Sequence, residues 1–351
     1  MSNWYCGRNA LKRAVGIDGA DRNSVIDALI EAASREIDGL TNRRFIPKTA
    51  TRSYNWPQRD GRSVYTIYLD EDLLSVSALT KEGDDVTAIA AADYFLEPVN
   101  LGPPYSRIEI DLASTAFFSA KDTHQRQVRV TGSWGYGNAT KAAGTVASGL
   151  ASDAAATSMV CSNASLIDVG DTLLIQSEQV FVSEREFAAL AAILINDASV
   201  TAAMNDTAIT VDASHGILAG ETIKLDSEMM YVSSVSGNVL TVIRAYDGTV
   251  LAAHADDTAV NINRTLTIVR AENGTTAAVH ANATAVTKYA PPLDISELCK
   301  ALAIHDGKAE QGGWTGIIGS GEGAIRVSQS SLNRLRDGVQ KRYQRHVIGA
   351  V

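Results

Sequence analysis

Several features that would assign an activity are scarce or missing in this chain of 351 residues. Its three cysteines, Cys6, Cys161 and Cys299, are an odd number and widely spaced, which favours reduced, buried thiols over a disulfide framework or a zinc site. There is no Ser/His/Asp order, HExxH or CxxC motif that would carry a reaction. The longest uncharged apolar run, residues 187–195, is far shorter than the roughly 20 residues that span a bilayer. The sequence therefore predicts a non-enzymatic protein with no cofactor, metal site or membrane segment.

Residues 311–323 are rich in glycine but lack the context of a phosphate-binding loop. No predicted strand precedes this stretch, and no Gly-Lys-Ser/Thr sequence follows it. A flexible hinge is the better interpretation.

The acidic residues are concentrated in one part of the chain. Residues 141–287 contain 16 acidic and 6 basic residues, a balance of −10, whereas the whole chain carries −9, so the remainder carries +1. This composition favours a solvated outer surface. A calcium site at Asp168, Asp171, Asp226 or Asp256 is the weaker alternative, because the spacing is unlike that of an EF-hand.

The most informative pattern is a repeat that is interrupted by a complete copy of itself. Residues 157–183 match residues 207–233 at an offset of 50, whereas residues 240–260 match residues 266–286 at an offset of 26. The order is thus first half, complete copy, second half. This order predicts two nested modules and excludes a solenoid, which would keep one period throughout.

Nesting also predicts the boundaries within residues 141–287, here called the insert. A domain tolerates an insertion where its cut ends lie close together. We therefore assign residues 157–184 and 265–287 to module one and residues 200–264 to module two. The alanine-rich residues 187–200 are interpreted as a linker. His254 and His280 occupy equivalent repeat positions, which favours a role in module structure over two active sites.

Outside the insert, the sequence predicts helices and an antiparallel sheet. Residues 24–40 carry an apolar stripe at helical spacing, and a second helix is expected from Pro291 to about residue 310. Short β-like runs between them predict an antiparallel meander, at residues 52–56, 64–69, 76–81, 94–97, 107–110 and 127–131. The predicted fold is therefore α+β, with a small core (1–140 and 288–325) interrupted by a mainly β insert.

Residues 326–351 are predicted to form a basic C-terminal arm. Its helix has one apolar stripe and one basic face, on which Asp337 is the single acidic residue. A solvated face and a surface for an acidic protein partner are both compatible with this pattern, with nucleic acid a weaker candidate. The candidate partner-binding residues are Arg326, Leu332, Arg334, Leu335, Arg336, Val339, Lys341, Arg342, Tyr343 and Arg345.

Several segments of the core together resemble one protein family. They are the helix pair at residues 11–17 and 26–38, residues 42–45, the strand 128–132 with its Trp-Gly-Tyr-Gly turn (134–137), and the Pro-led helix. In combination, over residues 5–137 and 288–311, they resemble the head-tail connector (adaptor) proteins of tailed bacteriophages. The nested modules are similar to small β modules appended to phage structural proteins. Family members run directly from the turn to the Pro-led helix, whereas this chain has 147 residues inserted there.

The resemblance implies a structural virion protein. Such proteins form a ring, commonly of twelve copies, that docks on the portal of the filled head and provides a platform for tail or neck proteins. It implies a location at the virion neck after synthesis in the host cytoplasm, near packaged DNA but without sequence-specific DNA binding, and no membrane contact. The alternative is a decoration or host-attachment protein whose β modules bind a receptor or glycan. An enzyme, such as a wall hydrolase, would require an acidic pair in a cleft.

Overall fold

The computed structural model describes residues 3–56, 64–84, 86–148, 150, 156–196, 199–311, 317–318, 325–326 and 330–345. The chain is an α+β protein, as predicted. Its helices are α1 (Arg8–Val15), α2 (Asn23–Thr41), α3 (Leu293–Gln311) and α4 (Ser330–Tyr343). The apolar stripe of α2 packs against α3 and α4, and this contact forms the centre of a helical core.

The core sheet has five antiparallel strands: β1 (Lys48–Tyr54), β2 (Thr66–Thr80), β3 (Tyr94–Glu97), β4 (Tyr105–Ile110) and β5 (Val128–Trp134). Their order is β1-β5-β2-β4-β3, so the predicted meander is wrong. Strand β5 pairs between β1 and β2, and a Cβ at Gly132 would overlap the carbonyl oxygen of Ser75, so only glycine fits there. The two runs expected at 64–69 and 76–81 belong to the single bulged strand β2.

Apart from three single 3-10 turns, the regular structure described in the insert consists of strands: β6 (Thr140–Thr145), β7 (Ser158–Val160), β8 (Thr172–Ile175), β9 (Glu178–Leu194), β10 (Ser199–Val200), β11 (Ala208–Thr210), β12 (Thr222–Leu225), β13 (Glu228–Ser236), β14 (Val239–Ile243), β15 (His254–Ala255), β16 (Ala259–Val269) and β17 (Ala285–Tyr289). A ten-stranded antiparallel sheet follows the order β11-β14-β13-β12-β16-β9-β8-β17-β6, with β7 also paired to β16. Strands β10 and β15 form a separate pair.

The two long strands β9 and β16 run through both modules. They pair from Phe181 and Val269 at one end to Leu194 and Ala259 at the other, with three register shifts. The predicted linker at residues 187–200 is therefore wrong, since residues 187–194 continue β9. The alanine-rich composition misled the prediction because backbone pairing with β16, rather than side-chain preference, holds this stretch extended.

The insert contains two separate clusters of buried apolar residues. One includes Met159, Ile167, Leu173, Ile175, Val182, Leu266, Ile268 and Val286. The other includes Ile209, Ile217, Ile223, Leu225, Val232, Leu240, Val242 and Val260, which are the repeat equivalents of the first set. The first cluster also contains Ala143, Val146 and Leu150. The packed unit that holds module one thus begins before the predicted boundary at residue 157.

Candidate partner-binding site

Helix α4, which carries most of the predicted site, packs on the helical core. Leu332, Val339 and Tyr343 are at most 6% exposed and belong to the same buried cluster as α2 and α3. The Tyr343 ring makes edge contacts with Phe45 and Tyr136, with centroids 5.5 and 5.2 Å apart. The prediction that these three residues bind a partner from a free arm is wrong, because their apolar surface is already buried inside the chain.

Three arginines of the predicted site also bind the chain itself. Arg336 contacts Glu36 at 2.7 Å, and Arg342 donates to Asp294 at 2.5 Å. The Nη2 of Arg345 donates to the Leu69 carbonyl at 2.9 Å, and its Nη1 lies 3.4 Å from Asp72. Burial lowers the pKa of Arg345, and burial raises the pKa of Asp72 despite its two arginine neighbours. These contacts attach α4 to α2, β2 and α3.

Three further residues of the predicted site, together with Arg342, form one exposed strip along α4. Arg334, Leu335 and Lys341 are exposed, and the Arg342 side chain keeps 67% of its area in solvent despite its ion pair. Positions 334, 335, 341 and 342 fall on one side of the helix because they are spaced by about two turns. We call these four residues the α4 outer face. Arg326 lies in a short pair of strands, β18 (Ile317–Ile318) and β19 (Ile325–Arg326), and its side chain and most of the predicted glycine hinge are outside the described residues.

Each module buries one glutamate between an arginine and a histidine. In module two, Arg244 donates to both carboxylate oxygens of Glu228 at 2.8 Å, and His254 Nε2 lies 3.0 Å from the same group. Burial raises the pKa of Glu228, but hydrogen bonds from Arg244, His254 and two backbone N–H groups outweigh it and lower the pKa to about 2. All three side chains are fully buried, so this cluster has no surface for a substrate.

Module one repeats the cluster at the equivalent positions. Arg270 donates to Glu178 at 2.9 and 2.7 Å, and His280 Nε2 lies 2.7 Å from Glu178 Oε2. Burial again raises the pKa of Glu178, but the hydrogen bonds from Arg270 and His280 lower it overall. Because both histidines contact a buried carboxylate, they hold the turns between strands, as their paired positions in the sequence predict.

Three of the four aspartates considered as calcium ligands have other contacts, and the fourth, Asp256, is exposed. Asp168 accepts hydrogen bonds from the backbone N–H groups of Asn9 and Ala10 in the first turn of α1. Asp171 accepts one from Lys288 at 2.8 Å, and Asp226 lies 2.8 Å from His254. Among the described residues, no group of three or more His, Cys, Asp or Glu residues could hold a metal ion.

One close contact was missed by sequence reasoning. The Sγ atoms of Cys6 and Cys299 lie 3.4 Å apart, where the segment before α1 crosses α3. No local pattern could have revealed this pair, since 293 positions separate the two residues.

No known protein family matches this chain, and no curated protein or solved structure matches it. Within the part of the chain that the structure describes, no helix is both long enough and apolar enough to cross a membrane.

Proposed function

We propose that this chain is a structural virion protein, a ring-forming head-tail connector of a tailed bacteriophage. In this proposal the ring, of about twelve copies, docks on the portal of the DNA-filled head and provides the platform for tail or neck proteins. The protein is made in the host cytoplasm and resides at the virion neck. The function is that of the family which residues 5–137 and 288–311 resemble.

The observation that supports the proposal is the meeting of the two stretches that carry the resemblance. Ile30 and Ile37 of α2, Phe45, and Leu298 of α3 share one buried cluster, with Tyr136 packed against it. These residues come from both sides of the insert. The connector-like segments thus form one packed unit, although the 147 inserted residues separate them in the chain.

The α4 outer face is the part of the predicted site that can still bind a partner. Arg334 and Lys341 are exposed and make no ion pair in the described part of the chain, and Leu335 adds an exposed apolar side chain between them. A basic strip around one apolar residue suits an acidic protein surface such as that of a portal. Exposed charges set the approach and orientation of a partner more than the final affinity.

Electron microscopy of the purified full-length chain, alone and mixed with DNA-filled heads that lack it, tests the proposal. We expect closed rings that bind at one vertex and restore tail attachment. A chain that stays monomeric and does not bind the heads would contradict the connector function.

A charge-reversal experiment tests the α4 outer face. Because truncation at residue 326 would remove Leu332, Val339 and Tyr343 from the core, substitutions are better suited than deletion. We expect R334E/K341E to fold normally but to yield filled heads without tails. The matched control is R13E/K308E, which changes the charge equally at exposed sites on α1 and α3. Tailed particles at the control's frequency would rule out this face.

A further inference from the structure

Cys6 and Cys299 form a thiol pair at the junction between the N-terminal segment and α3. Their Sγ atoms are 3.4 Å apart, and the Cys299 Sγ also lies 3.4 Å from the Ser34 hydroxyl. Cys299 is fully buried, whereas Cys6 is half-buried. The third cysteine, Cys161, belongs to the separate core of module one. Cys161 therefore provides an internal control for any chemistry of the pair.

The two thiols differ in how readily they lose a proton. The Cys6 S–H and backbone N–H groups donate hydrogen bonds to Cys299, so the pKa of Cys299 is lowered despite burial. The same hydrogen bond and burial raise the pKa of Cys6. Cys299 can therefore accept the Cys6 proton when the more accessible Cys6 attacks a reagent, and can attack Cys6 as a thiolate in the second step of disulfide exchange.

Solvent reaches the pair from the side of Cys6. This residue lines an open cleft of about 260 Å³ between the N-terminal segment and the start of α3. The cleft wall also carries Lys288 and Lys300, but each pairs with a carboxylate of the same wall, Asp171 and Glu297, so these charges do not select a reagent. A small molecule can therefore contact Cys6 while Cys299 remains covered behind it.

We propose that Cys6 and Cys299 are a redox site that closes into an intramolecular disulfide on contact with a small-molecule disulfide such as oxidised glutathione. Cys6 attacks one sulfur of the reagent while its proton passes along the existing hydrogen bond to the Cys299 thiolate. A mixed disulfide forms on Cys6, and the released thiolate takes the proton from Cys299 and leaves as one molecule of reduced thiol. The Cys299 thiolate then attacks Cys6 Sγ, forms the Cys6–Cys299 bond and releases the second molecule of reduced thiol. Two protein thiols are oxidised and one reagent disulfide is reduced, so atoms and electrons balance.

The crosslink would fasten the N-terminal segment to α3. That segment already contacts α2 through the Tyr5 backbone N–H and Ser34, and it contacts the insert through the backbone N–H of Arg8 and the carbonyl of Val169. A bond between positions 6 and 299 closes a loop that contains the whole core sheet and the whole insert. In the chain-entropy account, a crosslink stabilises the folded protein more when the loop that it closes is longer. In a reducing cytoplasm the pair stays open, and an oxidising environment closes it.

Peptide mapping of the full chain tests the site directly. The folded protein is incubated with oxidised glutathione, alkylated without reduction, digested and analysed by mass spectrometry. We expect a linked peptide pair containing Cys6 and Cys299, a mass loss of about 2 Da and one remaining alkylated thiol, Cys161. C161S should give the same linked pair. A stable glutathione adduct on Cys6, a linkage to Cys161 or crosslinks between chains would each overturn the proposal.

A stability measurement distinguishes a preformed pair from an accidental crosslink. Oxidised C161S should show a Tm about 5–10 °C above that of its reduced form, and reduction should reverse the shift. C6S and C299S should show no shift with the same reagent. An unchanged or lowered Tm after complete oxidation would mean that the bond strains the native structure, and would overturn the proposal of a site built to close.

Discussion

The two modules of the insert bury the same residues but differ where they face the rest of the chain. Both keep the buried glutamate, arginine and histidine cluster at equivalent repeat positions. Phe181 of module one packs edge-on against Trp4 at 5.4 Å, whereas its equivalent in module two, Tyr231, contacts Tyr246 in its own module. The shared residues are therefore those that fold a module, and the differing residues are those that attach it.

The attachment is deeper for module one than for module two. Module one contributes Val169 and Phe181 to the helical core itself. Module two is joined to module one by strands β9 and β16 and by Glu221, which accepts a hydrogen bond from the Ala164 N–H. It is joined to α1 by Asp247, which binds Lys12. Loss of module one should therefore unfold the protein as a whole, whereas loss of module two should be a local event.

The buried glutamates should give the largest difference between the modules. Truncating either carboxylate leaves a buried arginine without its charge partner, which costs about 3–5 kcal/mol. We expect Glu178→Ala to lower the midpoint of urea unfolding for the whole protein. Glu228→Ala should instead raise hydrogen exchange mainly within residues 199–262. Glu31→Ala, on the exposed side of α2, is the control and should change neither the urea midpoint nor the hydrogen exchange of module two. If both variants unfolded the same region, the modules would form one cooperative unit.

The Phe181 and Tyr231 positions should give the next largest difference. Phe181 is 4% exposed and fills the space beside Trp4, so Phe181→Ala should lower the free energy of unfolding by about 3–4 kcal/mol. Tyr231 is half-buried and contacts one ring, so Tyr231→Ala should cost about 1 kcal/mol. Denaturant titration followed by tryptophan fluorescence measures the effect of Phe181→Ala. Hydrogen exchange within module two measures that of Tyr231→Ala, because no tryptophan lies in residues 200–264. A larger loss of stability in Tyr231→Ala than in Phe181→Ala would mean that the core depends on module two rather than on module one.

Acid should weaken module two through Glu228. Its pKa in the folded protein, about 2, lies below the ordinary value of 4.5, so its stabilising effect is present above pH 4.5 and is lost as the pH falls toward 2. The expected loss between pH 7 and pH 3 is about 2 kcal/mol, read from hydrogen exchange within module two, because Glu228 is still mostly ionised in the folded protein at pH 3. Glu228→Gln should be less stable than the wild type at pH 7, and this difference should shrink at pH 3. A constant difference across that range would exclude Glu228 as the titrating group.

Sequence reasoning succeeded where the signal was local or repeated. The apolar stripe of α2 follows from helical spacing, and the equivalent structural roles of His254 and His280 in the two modules follow from the repeat. It failed where long-range pairing decided the outcome. Strand order could not be predicted because β5 inserts between β1 and β2 across distant chain positions. The stripe on α4 indicated an amphipathic helix, but nothing in its spacing could tell whether Leu332 and Tyr343 faced a partner or the chain's own core.

Equivalent turns in the two modules meet the core with different side chains. In module one, Asn273 exchanges amide hydrogen bonds with Asn3 at 2.8 and 2.9 Å. In module two, the equivalent Asp247 accepts from Lys12 at 2.8 Å and from the Gly19 N–H at 3.1 Å. Lys12 is buried, so the carboxylate compensates a charge that solvent does not reach.

Asp247→Asn gives module two the side chain that module one uses, and we expect the smallest effect from it. The amide oxygen can still accept from Lys12, which also donates to the Gly19 carbonyl. Since the Asp247 side chain is 27% exposed, unlike the buried glutamates, the loss should be only about 1 kcal/mol. Because the contact joins two units, hydrogen exchange should rise at residues 8–20 and 244–250 and stay unchanged around Glu178. Asp256→Asn, at an exposed position in the same module, is the control. Faster exchange throughout both modules would mean that this single contact, rather than the β9–β16 pairing, holds module two in place.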